Sequence, residues 1–385
     1  MAAEHPTPMN FERFVLRAAT PADLDALERL ARASAVGITT LPPDRAALAA
    51  RLKRSSESFA STDDPSGEEI YLFVLEDRGT GCATTPAGAD DGGHSGTVIG
   101  TCGIAASAGF ADRFYCFRNE TIVHASAALR ASNRIHTLHL CHSLTGHTLL
   151  TSFYIDPAYE GSVAPQLLSR ARLLFIAEFA ALFSDLVASE SPGLADDEGR
   201  CPFWDAVGRR FFEMDYPTVE RLAVGRSKAF IAELMPHSPV YVPLLPEAAQ
   251  WAIGQLNPVA ELPFSILQDE GFDSETYIDI FDGGPIVEAR AANLRTVLQS
   301  RAAPATWLQT GARHGQPPWH LVANTRREQF RAVLARTHWA QGHWQLEAAD
   351  ATRLGLTLQD GASARLRAAP LAQGDAATTP GGAQT

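Results

Sequence analysis

Apolar positions are densest between residues 149 and 179. Residues 149–155 form an apolar, β-branched and aromatic run ended by Asp156-Pro157, the pattern of a buried strand followed by a turn. From Gln166 onward Leu167, Leu168, Ala171, Leu174, Phe175 and Phe179 recur at three- and four-residue steps, so a helix with one apolar face packs on a sheet there. A strand that feeds a helix through a short loop offers backbone N–H groups and the positive helix end to a phosphate. This stretch is therefore the first place to look for chemistry.

The rest of the chain alternates similar elements. Residues 13–19 read as a strand, and Thr20-Pro21-Ala22-Asp23 opens a helix with Leu24, Leu27 and Leu30 on one face. A second helix is expected over 43–53 and strands over 71–76 and 97–104, joined by a Gly-, Ala-, Thr- and Asp-rich connector, 79–96, that reads as a mobile loop. Residues 114–125, 135–141 and 149–155 predict successive strands of one largely antiparallel sheet, and 185–189 a further short strand. An amphipathic helix is expected over 202–214, with others over 218–224, 227–235, 247–256 and 264–270, and a strand over 277–281 ended by Asp282-Gly-Gly-Pro285. From Ile286 short strands take over, at 307–310, 320–324, 330–336 and 362–366. The expected division is a leader, 1–11, a main α/β (α+β) region, 12–285, a small β-rich unit, 286–370, and a tail, 371–385, disordered by composition.

Composition narrows the function. With 385 residues, 45% of them hydrophobic, the chain can build a sizeable core, and no run approaches the roughly 18 apolar residues of a membrane span. The first ten residues lack a basic start and an apolar centre, which places the expected protein in the cytoplasm. Cys82, Cys102, Cys116, Cys141 and Cys201 are odd in number without Cys-x-x-Cys spacing, against a disulfide framework or a zinc site. His136, His139, His142 and His147 lie close in sequence, yet strand alternation sends His139 to the face opposite His136 and His142, so no metal site is expected. A net charge of −12 argues against a nucleic-acid surface.

The order of strand, capped helix, antiparallel strands, then strand, loop and long helix is similar to that of GNAT-type acyltransferases. More specific are four strings: Phe114-Tyr-Cys-Phe-Arg-Asn-Glu-Thr-Ile-Val-His-Ala-Ser126, Pro202-Phe-Trp-Asp-Ala-Val-Gly-Arg-Arg-Phe-Phe212, Phe230-Ile-Ala-Glu-Leu-Met-Pro236 and Tyr277-Ile-Asp-Ile-Phe-Asp-Gly-Gly-Pro285. They resemble, in the same order, the arginine N-succinyltransferase family, over about 14–299 and more faintly to 366. Phe153-Tyr-Ile and the string from Pro236 to Pro246 look closest to the alpha subunits of its two-subunit members. The resemblance implies a GNAT-like fold with a mixed, largely antiparallel sheet. It also implies succinyl-CoA as co-substrate with no bound cofactor, the α-amino group of arginine or ornithine as acceptor, and a beta-type sister subunit in a hetero-oligomer.

Two departures bear on mechanism. Where the family carries a histidine proton donor in Gly-Gln-x-His-Pro, this chain reads Gly254-Gln255-Leu256-Asn257-Pro258, and an amide cannot deliver a proton near neutral pH. Asn257 equally reads as a cap before Pro258. In the donor loop, Glu160-Gly-Ser-Val-Ala-Pro165 sets a carboxylate near the expected phosphate, at a cost on the order of 1–3 kcal/mol, and a proline that lacks an N–H. The resemblance places Phe153, with Tyr154 and Ile155, against succinyl-CoA, although core packing serves Phe153 as well. His237 is the alternative acid or a plain loop residue. Arg118 can fork onto the succinyl carboxylate or form an ordinary ion pair. Asp279 and Asp282 can receive the acceptor guanidinium or belong to a turn that needs no ligand. A non-catalytic structural or regulatory subunit is the competing reading.

Overall fold

The computed structural model describes residues 11–34, 40–79, 96–196, 198–223, 233–308, 317–357 and 364–371. Its strands are β1 (Phe14–Ala18), β2 (Ile70–Asp77), β3 (Thr97–Ala105), β4 (Cys116–Ser126), β5 (Ala131–Cys141), β6 (Thr148–Ile155), β7 (Leu186–Glu190), β8 (Val240–Tyr241), β9 (Asp273–Ile278) and β10 (Pro285–Arg290). Towards the C-terminus follow β11 (Arg301–Leu308), β12 (Trp319–Asn324), β13 (Arg331–Arg336), β14 (His338–Ala340), β15 (His343–Glu347) and β16 (Arg365–Pro370). They join one sheet in the order β14-β15-β11-β16-β12-β13-β1-β2-β3-β6-β7-β10-β9-β4-β5-β8. Among its described pairings only β6 with β7 and β11 with β15 are parallel.

The helices are α1 (Leu24–Ala33), α2 (Arg45–Ala60), α3 (Ala164–Glu178), α4 (Pro202–Ala206), α5 (Arg209–Phe212), α6 (Tyr216–Ala223), α7 (Glu247–Ala252), α8 (Glu261–Glu270), α9 (Arg295–Gln299) and α10 (Ala348–Arg353). Strand β2 is buried along its whole length, and its alternation explains how the helices are layered. Tyr71, Phe73 and Leu75 meet Leu167, Leu168 and Phe175 of α3 on one face. Leu72 and Val74 meet Leu27, Leu30 and Leu52 of α1 and α2 on the other. A separate core forms where Phe203, Trp204, Val219 and Ala252 cover Phe117, Leu138 and Ile278.

Several elements differ from expectation for local reasons. The helix expected over 202–214 is split into α4 and α5 because the Trp204 ring lies on Gly208, where a Cβ would come within 2.2 Å of the ring. The strand expected over 277–281 ends at Ile278, since the Asp279 carboxylate turns the chain by accepting from Phe281 N, two residues on, at 2.7 Å. The second helix runs on to Ala60, seven residues beyond the expected 53, so that Phe59 can reach the aromatic core. Most of the 79–96 connector, the 227–235 helix and the 371–385 tail fall outside the described residues. The C-terminal part is rich in strands and continues the main sheet, β13 pairing antiparallel with β1 at Val15↔Val333. Ile286, expected to begin that unit, lies inside β10 and pairs with Glu190 of β7.

Candidate active site

A strand stays flat in a sheet while both neighbours pair with it, and the two central parallel strands do not. β6 and β7 pair only at Thr148↔Val187 and Leu149↔Ala188. Beyond that point β6 continues along β3 as far as Gly100↔Ile155, and β7 along β10 as far as Ile286↔Glu190. The strands therefore splay, and the β7-facing edge of β6 loses its ladder partner. Between them lies a cleft of about 240 Å³, lined by Thr151, Ser152, Phe153, Tyr154 and Ile155 on one side and Ser189, Glu190, Ser191 and Pro192 on the other. Val259, Ala260, Leu262 and Pro263 form an apolar wall, and Glu160 and Pro157 also line the cleft.

A β-bulge re-aims β6 at this place. The β3–β6 register shifts between Thr101 and Gly103, and Ser152 takes a left-handed φ of 53°. Thr40 holds the bulge: Ser152 N donates to Thr40 Oγ1 at 3.0 Å and Ser152 Oγ to Thr40 O at 2.9 Å. Gly103 makes room for it, because a Cβ there would lie 2.9 Å from Thr151 Oγ1 and 3.0 Å from Leu72 Cδ2.

Helix α3 contributes Arg172 to the cleft. The Phe153 ring lies 5.6 Å from Cζ of Arg172, a guanidinium 2% exposed that also lines the cavity. Burial lowers the pKa of Arg172 from its ordinary value, and burial raises that of Tyr154, with Asp156 and Glu160 adding to the rise, so the phenol keeps its proton at neutral pH. The loop entering α3 uses its own amides. Glu160 N donates to Pro157 O, Ser162 N to Tyr159 O and Ala164 N to Ser162 Oγ, while Gln166 N and Leu167 N both reach Val163 O. Pro165 has no N–H, so few backbone donors remain there for a phosphate.

The opposite wall hangs on one turn. Asp282 accepts from Gly193 N and Gly284 N, each at 2.8 Å, and Ser191 N donates to Pro285 O at 3.1 Å. Gly254 N reaches Gly283 O at 2.8 Å and Asn257 N reaches Pro192 O at 2.9 Å. Asn257 Oδ1 accepts from Val259 N at 3.2 Å and so caps the turn Pro258–Ala260, whose last two residues line the cleft.

The expected residues thus separate. Phe153, Tyr154 and Ile155 line the cleft, and Asn257 stands directly behind its wall. Asp279 and Asp282 are buried turn-formers that shape the wall without lining it. Arg118 lies on β4, three strands from β7, ion-paired with Glu120. His237 is exposed and precedes β8, at the far edge of the sheet. His139 pairs with Glu120 at 3.5 Å and His147 with Glu288 at 3.6 Å, and no histidine among the described residues lines the cleft. Sequence reading missed Ser189, Glu190 and Ser191, which carry no local signal, and Arg172, which does. Its spacing from Leu168 and Phe175 puts a cation on the apolar stripe of α3.

The fold and cleft define an α/β protein with a large mixed sheet and a ligand-sized pocket opened between two parallel strands. Residues 14–296 match the family described as arginine N-succinyltransferase beta subunit. The chain is 46% identical over 355 residues to the arginine N-succinyltransferase subunit alpha of Pseudomonas aeruginosa, covering 91% of this chain and 98% of that one. It is 36% identical to the subunit beta of the same organism, covering 93% and 98%, and 38% identical to the arginine N-succinyltransferase of Shigella sonnei, covering 84% and 89%. The structure of arginine/ornithine succinyltransferase subunit AI from Pseudomonas aeruginosa superposes with a TM-score of 0.79 at 41% identity, over 94% of this chain and 99% of that one. The chain belongs to the arginine N-succinyltransferase family, a family of transferases.

Proposed function

We propose that this chain is an alpha-type subunit that transfers succinyl from succinyl-CoA to the α-amino group of arginine, and of ornithine, in the cytoplasm, with a beta-type sister subunit beside it. The fold is read as GNAT-like. The observation that carries the proposal is the splay of β6 from β7. It leaves the strand edge at 151–155 without a ladder partner among the described residues, and an extended thioester arm with amides of its own can pair there like an added strand. The neutral amine attacks the thioester carbonyl, the new N–C bond forms as the C–S bond breaks, and the amine proton ends on the departing thiolate. No resident cofactor is needed. Glu190 and Glu160 attract the cationic acceptor, and Tyr154 is one of several hydroxyl-bearing residues that line the cleft.

One observation favours a second reading, a non-catalytic partner. Asn257 spends its side chain on a cap, and the loop before α3 spends most of its amides on itself. Both readings are tested by arginine-dependent release of coenzyme A thiol from the chain alone and co-purified with a sister subunit that carries Gly-Gln-x-His-Pro. Filling this chain's cleft by Ser191→Trp is expected to lower kcat/KM of the complex at least about tenfold. Full activity of that folded variant complex would favour the non-catalytic reading.

A further inference from the structure

A guanidinium is seldom buried without an acid beside it, because taking it out of water costs several kcal/mol that only an opposite charge and complete hydrogen bonding offset. Two other buried arginines of this chain follow the rule. Arg17 forks onto Asp23 and bonds Glu76, and Arg170 meets Glu270 at 2.9 Å. Arg172, two residues on from Arg170 and equally buried, is different. Its Nε donates to Ser169 O at 3.1 Å and its Nη2 to Ser169 Oγ at 2.9 Å, and among the described residues no carboxylate pairs with it. The ionisable group that bears on it is the Cys102 thiol, pushed up to about 12 by burial and hence uncharged at neutral pH. Phe153 covers one side of the guanidinium, and the group lines the cleft. A fixed cation with donors left over is thus aimed into a cavity floored by apolar side chains.

Building on the acyl-transfer reading of this cleft, we infer that Arg172 is the anchor for a substrate carboxylate, which completes the ion pair that the fold leaves open. Two groups in the reaction have this chemistry: the terminal carboxylate of the succinyl donor and the α-carboxylate of the amino-acid acceptor. Arg118, the cation that the sequence suggests for this task, is taken by Glu120 and stands outside the cleft. In either case Arg172 acts in binding and selectivity, with the bond-making left to other groups.

The test compares wild type, Arg172→Gln and Arg172→Lys in the assembly that turns over. Butyryl-CoA replaces succinyl-CoA to remove the donor carboxylate, and agmatine replaces arginine to remove that of the acceptor. Removing an unpaired buried charge is expected to leave the melting temperature of Arg172→Gln at or above that of wild type. If Arg172 holds the donor, Arg172→Gln reduces the succinyl-over-butyryl preference in kcat/KM at least about 30-fold, the rate equivalent of a desolvated charge pair. If it holds the acceptor, the arginine-over-agmatine preference falls by that amount instead. Arg172→Lys keeps part of the lost preference. Both preferences unchanged to within about threefold in an active, folded variant would overturn the assignment. A wild-type assembly that neither binds succinyl-CoA in calorimetry nor turns over would instead overturn the acyl-transfer reading.

Discussion

Single side chains in this protein show how burial and partnering together decide what a charge does. Arg17 sits between two strands, donating from Nη1 and Nη2 to Asp23 and from Nε to Glu76, all at 2.7 Å. Burial alone would raise the Asp23 carboxyl, but the hydrogen bonds and charge of Arg17 and the Thr20 N–H hold it below its ordinary 3.8. Because the folded value is the lower one, the stabilisation is complete above that ordinary value and is lost as pH falls from there through the lower folded value. Asp23→Asn is expected to cost roughly 3 kcal/mol at pH 7 in urea unfolding, since it leaves Arg17 half-paired. Its loss of stability on acidification below pH 4 should also be shallower than in wild type. A wild-type-like acid profile in the variant would remove Asp23 from this role. Asn257 illustrates the other outcome, a polar residue whose capping bond explains its presence without chemistry.

At the scale of elements, the site is made by a bulged strand and the helix that follows it. Gly103 permits the bulge, so Gly103→Val, which drives a side chain into Thr151 and Leu72, is expected to lose about 1–3 kcal/mol in urea unfolding. Succinyl-CoA affinity should weaken with it. Unchanged affinity in calorimetry would separate the bulge from the binding surface. The strand, loop and helix of this unit were legible in the sequence because apolar spacing is a local signal, changing from a continuous run to three- and four-residue steps across Asp156-Pro157. The splay was not legible. It arises because β3 and β10, 43 or more residues away in the chain, each hold one of the two parallel strands. Of the two readings of Arg118, carboxylate fork or ordinary ion pair, the structure shows the ion pair, its partner Glu120 lying two residues on along the same strand face, and residue types alone do not announce which pairs close. Arg172 was readable as a cation on an apolar stripe, whereas Trp204 covering Gly208, which splits the 202–214 helix, depends on a side chain's final direction.

Over the whole molecule, one sheet carries both the cleft and the C-terminal strands. β13 covers the edge of β1, and Leu321, Phe330 and Leu334 enter the same core as Phe73 and Phe175. The aromatic cluster of Phe59, Phe73, Phe175 and Phe330, with ring centroids 4.9–5.7 Å apart, ties β2, α2, α3 and the C-terminal part together. A floor this well packed leaves the unpaired edge of β6 and the segment 189–192 as the places where a ligand can change backbone protection. Hydrogen exchange of the complex with its sister subunit, with and without saturating succinyl-CoA, measures this directly. The account predicts that slowing in this chain concentrates in the amides of 151–156 and 189–193. Slowing confined to other segments, with these two unchanged, would contradict the assignment of the cleft as the acyl-donor site.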